Sequence, residues 1–224
     1  CTPMATTMGA ISGQIITEIN EPVEGVELGF NISLPDEMMT DGTGSYMIDS
    51  LELGEQYTLV PQMDYDYANG VSTLDVIFMA KHILGTAQLD SPYKIIAADI
   101  NKSGSVTTID MIQLRKLILG VIDEFPDNTS WRFIKAAHVF PNPVDPWETL
   151  FPEALTISQL DGYAEDMDFI AVKIGDVNNS ATTSLLGDVE ERSVEGTFYV
   201  EVANDELRPG QEYRIDFNVG EDEA

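Results

Sequence analysis

Residues 64–85 read DYDYANGVSTLDVIFMAKHILG, and residues 99–120 repeat the pattern as DINKSGSVTTIDMIQLRKLILG. Each copy is an acidic loop that runs into an apolar segment. The offset between matching positions is constant at 35 residues, as from Asp75 to Asp110. Such internal self-similarity indicates a duplicated structural unit, and the chemistry of the loop indicates what the unit binds.

The loop of the second copy (the second loop, residues 99–110) carries oxygen atoms where a calcium ion needs them. A hard cation takes about six to eight oxygens, which a short loop supplies from positions 1, 3, 5, 7, 9 and 12. These positions are Asp99, Asn101, Ser103, the carbonyl of Ser105, Thr107 and Asp110. Gly104 stands at position 6, where such a loop turns sharply. The sequence therefore predicts a Ca²⁺ site here.

The loop of the first copy (the first loop, residues 64–75) keeps the pattern less completely. Its predicted ligands are Asp64, Asp66, the carbonyl of Gly70, Ser72 and Asp75. Position 5 is Ala68, whose side chain has no oxygen, so a water molecule must replace that ligand. We therefore expect a second Ca²⁺ site of lower affinity.

Both loops lead into predicted helices. Apolar residues recur at helical spacing after each loop, and Gly85 and Gly120 supply the C-terminal stops. Between the copies, Ser91 followed by Pro92 is typical of a helix start. We expect a third, short helix from there to Ile96.

The two repeats resemble the dockerin domain, in which paired calcium loops are each followed by one helix. The resemblance spans about residues 64–122 and is carried by Asp at loop position 12 and Val106 at position 8. It implies calcium binding, an extracellular bacterial protein of several domains, and docking onto a cohesin partner. The family's recognition residues lie at loop positions 10 and 11, here Thr73 with Leu74 and Thr108 with Ile109.

The segment before the repeats, residues 1–63, is predicted to be all-β. Residues 13–17, 23–30, 45–48 and 57–61 are β-rich runs separated by turn residues. The segment resembles the carboxypeptidase-regulatory-like β-sandwich in its turn motif, Thr40, Asp41, Gly44, Tyr46, Gly54 and Tyr57. That resemblance implies a spacer or surface domain without catalytic residues.

The segment after the repeats, residues 125–180, is predicted as a β-rich extension. Its expected strands are 131–134, 138–140, 154–157 and 169–174. Near its end, Asp176, Asn178 and Ser180 place oxygens at positions 1, 3 and 5 of another loop. Position 12 of that loop is Gly187, which offers no carboxylate, so the sequence favours an ordinary turn over a cation site.

Residues 181–195 are polar and acidic and are expected to form a linker. Beyond it, residues 197–202 and 213–219 alternate apolar and polar side chains, as half-buried strands do. They resemble the opening strands of a cohesin-like or immunoglobulin-like domain over residues 196–224. A lone strand pair is marginally stable in water, so its apolar face needs a partner sheet. Three alternatives are open for that partner: the earlier β region of this chain, the remainder of a larger domain, or a neighbouring subunit.

The fold class that follows is a mainly β, multidomain protein. A small α-helical, dockerin-like calcium module, residues 64–124, is expected to be inserted between its β regions.

The chain has 224 residues, 39 of them acidic and 11 basic, with a formal net charge of −28. This charge disfavours nucleic acid and anionic membrane surfaces as partners, since both attract clustered Lys and Arg. No apolar run reaches the roughly 18 residues of a membrane span. The single cysteine, Cys1, is expected to begin a mature or partial segment of a longer precursor. Without a nucleophile–histidine arrangement or a phosphate-binding motif, the sequence predicts no enzymatic activity.

Two functions fit these features. The first is an extracellular structural protein, either an adhesin or a subunit of a surface fibre or pilus-like filament. Its copies would join head to tail by adding a strand to a neighbour's sheet. The second is a docking module that binds a cohesin-like partner in a secreted assembly. The sequence favours the first, because the strand pair expected at residues 196–224 is suited to adding to a neighbour's sheet, but it leaves both open.

Overall fold

The structure is a computed structural model, and it describes residues 8–32 and 38–184. Cys1, most of the expected linker at 181–195 and the strand pair predicted at 196–224 lie outside the described residues. The elements are β1 (Met8–Thr17), β2 (Glu27–Phe30), β3 (Ser45–Glu52), β4 (Tyr57–Gln62), α1 (Thr73–Ile83), α2 (Pro92–Ala98), α3 (Thr108–Ile118), β5 (Trp131–Lys135), β6 (Leu155–Ile157), β7 (Tyr163–Ala164) and β8 (Phe169–Lys173).

The described strands form two sheets. The larger sheet has the order β3-β1-β8-β5, and β7 also pairs with β1. In it, β1 is antiparallel to β3 and parallel to β8, while β5 is antiparallel to β8. The smaller sheet is antiparallel, with the order β2-β4-β6.

The strands do not pair as two separate β regions, 1–63 and 125–180. Both sheets take strands from both segments: Ile15 of β1 lies opposite Phe169 of β8, and Leu59 of β4 lies opposite Leu155 of β6. The physical reason is that an apolar sheet face must be covered by another layer, and strands of both segments line the core between the two sheets. The shared core contains Ile11, Ile15, Leu28, Tyr46, Tyr57, Leu59, Trp131, Phe133, Leu155 and Phe169.

The three helices follow β4 and precede β5 in the chain, and they form a second core with the larger sheet. Successive side chains of a strand point to opposite faces. On β8, Phe169 and Ala171 therefore face the core between the sheets, whereas Val172 faces the helices. The helix core includes Val76, Met79, Ile95, Ile96, Leu114, Leu117 and Ile134. Strand β8 packs against α2, and the residues that follow β8 reach α1, since the amide of Val177 donates to the carboxylate of Asp75.

The predicted helices are confirmed as α1, α2 and α3. The strand predicted at 138–140 is wrong. The amide of His138 donates to the carbonyl of Lys135 at 2.9 Å and closes a turn, while Phe140 is buried in the helix core. Pro141 follows directly and has no amide hydrogen for a strand ladder. In the part of the chain that the structure describes, no helix is both long and apolar enough to cross a membrane.

The turn before β3 acts as scaffold. The hydroxyl of Thr40 accepts from the amide of Val26 at 2.9 Å. The carboxylate of Asp41 accepts from the amides of Thr43 and Ser45 at 2.8 and 3.0 Å. These bonds satisfy the polar groups of a chain reversal. The resemblance to the carboxypeptidase-regulatory-like sandwich remains a prediction.

Candidate calcium-binding site

The second loop joins α2 to α3 and closes around two buried carboxylates, those of Asp99 and Asp110. The Oδ1 atom of Asp99 accepts from the amide of Ser103 at 2.9 Å, and its Oδ2 atom accepts from the amide of Gly104 at 2.8 Å. The Oδ1 atom of Asp110 accepts from the amide of Asn101 at 3.1 Å. Position 12 therefore meets the start of the loop across its opening.

The remaining predicted ligands lie beside these carboxylates. The hydroxyl of Ser103 is 3.3 Å from Oδ1 of Asp99 and 3.2 Å from the carbonyl oxygen of Ser105. The side-chain oxygen of Asn101 accepts from the amide of Ser103 at 3.1 Å. Carboxylate, amide, hydroxyl and carbonyl oxygens thus converge, which is the ligand set that calcium prefers. The residues of the second loop fit the ion.

Thr107 has a different place from the other predicted ligands, because it caps α3. Its hydroxyl accepts from the amide of Ile109 at 3.2 Å and donates to Oδ2 of Asp110 at 2.9 Å. The amide of Thr107 donates to the same Oδ2 atom at 2.8 Å. This reciprocal arrangement is a capping box. Thr107 therefore fixes the carboxylate of position 12, and position 9 commonly reaches calcium through a water.

The electrostatics of the second loop favour a cation. Burial is the largest cause that raises the pKa of Asp99, and the nearby carboxylate of Asp110 raises it further. The amides of Gly104 and Ser103 act in the opposite direction. A divalent ion between two desolvated carboxylates relieves their repulsion and replaces their lost hydration.

The helix end of the first loop copies the second loop. Asp75 is buried, and its Oδ2 atom accepts from the amide and the hydroxyl of Ser72, both at 2.8 Å. Its Oδ1 atom, however, accepts from the amide of Val177 at 3.0 Å and from the side-chain nitrogen of Asn178 at 3.1 Å. The Oδ1 atom of Asp75 therefore faces a segment about 100 residues further along the chain.

The start of the first loop differs from the start of the second. The Oδ1 atom of Asp64 accepts from the hydroxyl of Tyr67 at 2.5 Å and from the amide of Ser130 at 2.8 Å. Asp66 is exposed, with a left-handed φ of 49°. The structure thus attaches Asp64 to the chain just before β5, and it places Asp75 against residues 177 and 178.

Residues 176–181 lie against the helix end of the first loop, a contact that sequence reasoning missed. The hydroxyl of Ser180 donates to the carbonyl of Gly70 at 3.0 Å, and Oδ2 of Asp176 accepts from the amide of Ala181 at 2.7 Å. Burial raises the pKa of Asp176 most, and the carboxylate of Asp75 raises it further. The sequence did show side-chain oxygens at Asp176, Asn178 and Ser180. The acid that lies beside them, Asp75, is about 100 residues away in sequence.

A buried lysine lies close to these loops. The ammonium of Lys173 donates to the carbonyls of Tyr67 and Ile174 at 3.0 and 3.3 Å. Burial lowers the pKa of Lys173 to about 8, opposed by the charges of Asp66, Asp176 and Asp64. Over residues 8–32 and 38–184, no three Asp, Glu, His or Cys side chains form a metal-binding group. Beside the carboxylate pairs Asp99 with Asp110 and Asp75 with Asp176, the other nearby oxygens belong to neutral hydroxyl and carbonyl groups.

Residues 62–119 match the family model of the dockerin type I domain. The match covers about a quarter of the chain and identifies this segment as a dockerin-like module. Modules of this type bind calcium, dock onto cohesin partners and occur in secreted proteins. No curated protein matches the chain at a significant level.

Among solved structures, two crystal structures of BcpA, the major pilin subunit of Bacillus cereus, are similar over a limited segment. One, a variant, is 18% identical, with a TM-score of 0.23, over 25% of this chain and 17% of the pilin. The other is 17% identical, with a TM-score of 0.23, over 26% of this chain and 19% of the pilin. The chain thus spans less than a fifth of either pilin structure.

Proposed function

We propose that this protein is a non-enzymatic, extracellular docking module, stabilised by two calcium ions, that binds a cohesin-like domain of another protein. The observation that carries the proposal is a matching pair of exposed apolar residues on α1 and on α3. These four residues, Leu74, Ile77, Ile109 and Ile112, form the docking residues.

The exposure of the docking residues is repeated with the sequence offset of the duplication. Leu74 and Ile77 are 46% and 49% exposed, and their counterparts Ile109 and Ile112 are 56% and 51% exposed. A single exposed Leu or Ile needs no explanation, since most protein surfaces contain some. Exposed apolar residues at equivalent positions of both helices instead favour a surface that binds a partner.

The calcium loops support this surface directly. Leu74 and Ile109 follow the N-caps Ser72 and Thr107 by two residues, so the loop that holds the ion also sets the first turn of each helix. Exposed threonines at position 10, Thr73 and Thr108, supply polar groups beside the apolar ones. An apolar centre with a polar edge is the usual composition of a protein interface.

Replacing Leu74 and Ile109 together by Ser should remove most of the affinity for a cohesin domain. If these residues are hot spots of the interface, their truncation costs about 2 kcal/mol or more, which is roughly 30-fold in Kd. Binding is measured by surface plasmon resonance against a panel of purified cohesin domains, with calcium present.

The matched control for this test is Leu150→Ser. Leu150 is 99% exposed and lies outside the helices, so its replacement removes the same chemical groups from a surface not proposed to dock. Its Kd should stay at the wild-type value. If the wild-type protein binds no cohesin domain, or if the double variant binds as well as wild type, the docking function is refuted.

A second candidate function is the fibre subunit, favoured by the alternating pattern at residues 197–202 and 213–219. Deleting residues 196–224 should then convert fibres into calcium-binding monomers, because the segment predicted to add strands to a neighbouring sheet is removed. Negative-stain electron microscopy and size-exclusion chromatography measure the change. The Leu74→Ser, Ile109→Ser variant is the control and should still polymerise. Fibres that survive the deletion exclude this candidate.

A further inference from the structure

We infer that the calcium site predicted at the first loop is split between two distant parts of the chain. Residues 176–181 supply loop positions 1 to 6, and residues 70–75 supply positions 7 to 12; together they are the split site. Its side-chain ligands at positions 1, 3 and 5 are then Asp176, Asn178 and Ser180, in place of residues 64–68. This inference rests on the proposed function, in which the module holds two calcium ions.

The first support is the hydrogen bond between positions 5 and 7. In the second loop, the hydroxyl of Ser103 lies 3.2 Å from the carbonyl oxygen of Ser105. In the split site, the hydroxyl of Ser180 lies 3.0 Å from the carbonyl oxygen of Gly70. Gly70 is the counterpart of Ser105 in the duplication. The same two positions therefore meet, although one pair is separated by two residues and the other by 110.

The second support is the contact between positions 6 and 7, which are covalent neighbours in the second loop. A Cβ atom added to Gly70 would lie 2.6 Å from both the Cα and the N atom of Ala181. The backbones of Gly70 and Ala181 are therefore in contact. The corresponding residues of the second loop, Gly104 and Ser105, are joined by a peptide bond. Asn69 fastens this junction, since its side chain donates to the carbonyl of Thr182 and accepts from its amide, both at 2.8 Å.

The third support is the arrangement of the two carboxylates. At position 1, Asp176 accepts from the amide of position 6 through Ala181 at 2.7 Å, as Asp99 does through Gly104 at 2.8 Å. At position 12, the Oδ1 atom of Asp75 accepts from the amide of Val177 at 3.0 Å. The Oδ1 atom of Asp110 likewise accepts from the amide of Asn101, near the start of the second loop, at 3.1 Å.

The backbone conformation separates the split site from the contiguous first loop. Position 4 is left-handed in the second loop, where Lys102 has a φ of 55°. Asn179, at position 4 of the split site, has a φ of 59°. In the contiguous first loop, the left-handed residue is Asp66 at position 3. At position 4 the split site therefore has the backbone conformation of the second loop, whereas the contiguous first loop has its left-handed residue one position earlier.

The first test removes ligands from the full-length chain. Asp99→Asn weakens the second loop, so that calorimetric titration with calcium chloride reports the remaining site. In that background, Asp176→Asn should weaken calcium binding about tenfold or more, because calcium affinity depends on the number of charged ligands. The matched control, Asp64→Asn with Asp66→Asn, should leave the Kd within about twofold of the Asp99→Asn protein. Circular dichroism in chelator verifies that each variant is folded.

The second test adds a ligand, and loss of folding cannot imitate its result. In the same background, Asn178→Asp places a further carboxylate at position 3 of the split site and should tighten calcium binding by about fivefold. The matched control is Ala68→Asp, which supplies the ligand missing from position 5 of the contiguous first loop. It should leave the Kd unchanged.

The outcomes separate this inference from the proposed function. If Ala68→Asp tightens calcium binding and Asn178→Asp does not, residues 64–75 hold the ion and the split site is refuted, while the docking function stands. If the wild-type chain binds one ion and the Asp99→Asn protein none, the split site is also refuted. If the wild-type chain binds no calcium at all, the calcium-dependent part of the proposed function fails as well.

Discussion

Removing calcium with a chelator should lower the free energy of unfolding of this protein by about 5–8 kcal/mol if two ions are released. A ligand bound only by the folded state contributes about 3–4 kcal/mol when its concentration is 100- to 1,000-fold above Kd. For a chain of this size, roughly 10 °C or more of melting temperature corresponds to that loss. The cause is that Asp99 and Asp110, and likewise Asp75 and Asp176, are buried acidic pairs that lose their counter-ion.

Differential scanning calorimetry with excess calcium chloride and with chelator measures this effect. Asp99→Asn should abolish about half of the calcium-dependent rise in melting temperature, because one of two ions is then lost. Asp49→Asn, at an exposed carboxylate of β3 outside the loops, should retain all of the rise. Equal melting temperatures in calcium and in chelator would show that the loops hold no ion under these conditions.

Phe169→Ala should destabilise the protein by about 3–5 kcal/mol, the usual cost of removing a fully buried phenylalanine. Phe169 has no exposed surface, and its strand β8 lies between β1 and β5 in the larger sheet. Its ring packs in the core that the two sheets share. The cavity would therefore weaken contacts made by both the N-terminal strands and the strands after the helices.

Urea denaturation in calcium buffer measures this loss. The matched control is Tyr163→Ala on β7, which removes an aromatic ring that is 75% exposed and should change stability by about 0.5 kcal/mol or less. A loss below about 1 kcal/mol for Phe169→Ala would contradict the shared core. The N-terminal segment would then have to form a core of its own, as the sequence alone suggests.

Local signals allowed most of the helical segment to be predicted. Ser72 and Thr107 each precede a helix by one residue, with an acid three positions later, which specifies a capping box. The ligands of the second loop lie within 12 consecutive residues, so their spacing alone places them around one point. Such features depend on short-range backbone geometry, which one chain segment can fix by itself.

Strand partners were not predictable in the same way. The alternation of Ile11 and Ile15, or of Phe169 and Ala171, shows that one face of a strand is buried but does not name its partner. The pairing of β1 with β8 and of β4 with β6 joins segments about 100 residues or more apart. A hydrophobic face is satisfied by any apolar surface of the right shape, so only packing of the whole chain selects the partner.

The sequence by itself determined that the middle of this chain is a duplicated, calcium-binding type of module with two capped helices. It also contained the Asp-x-Asn-x-Ser segment at 176–180, without showing a use for it. Only the tertiary structure brought Asp176 and Asn178 to Asp75, because the chain that leaves β8 lies against the start of α1. A loop motif can specify its own backbone turn from short-range interactions alone. A calcium ion, however, needs about six to eight oxygen ligands around it. Which distant residues bring their oxygens to the loop is decided by the tertiary fold.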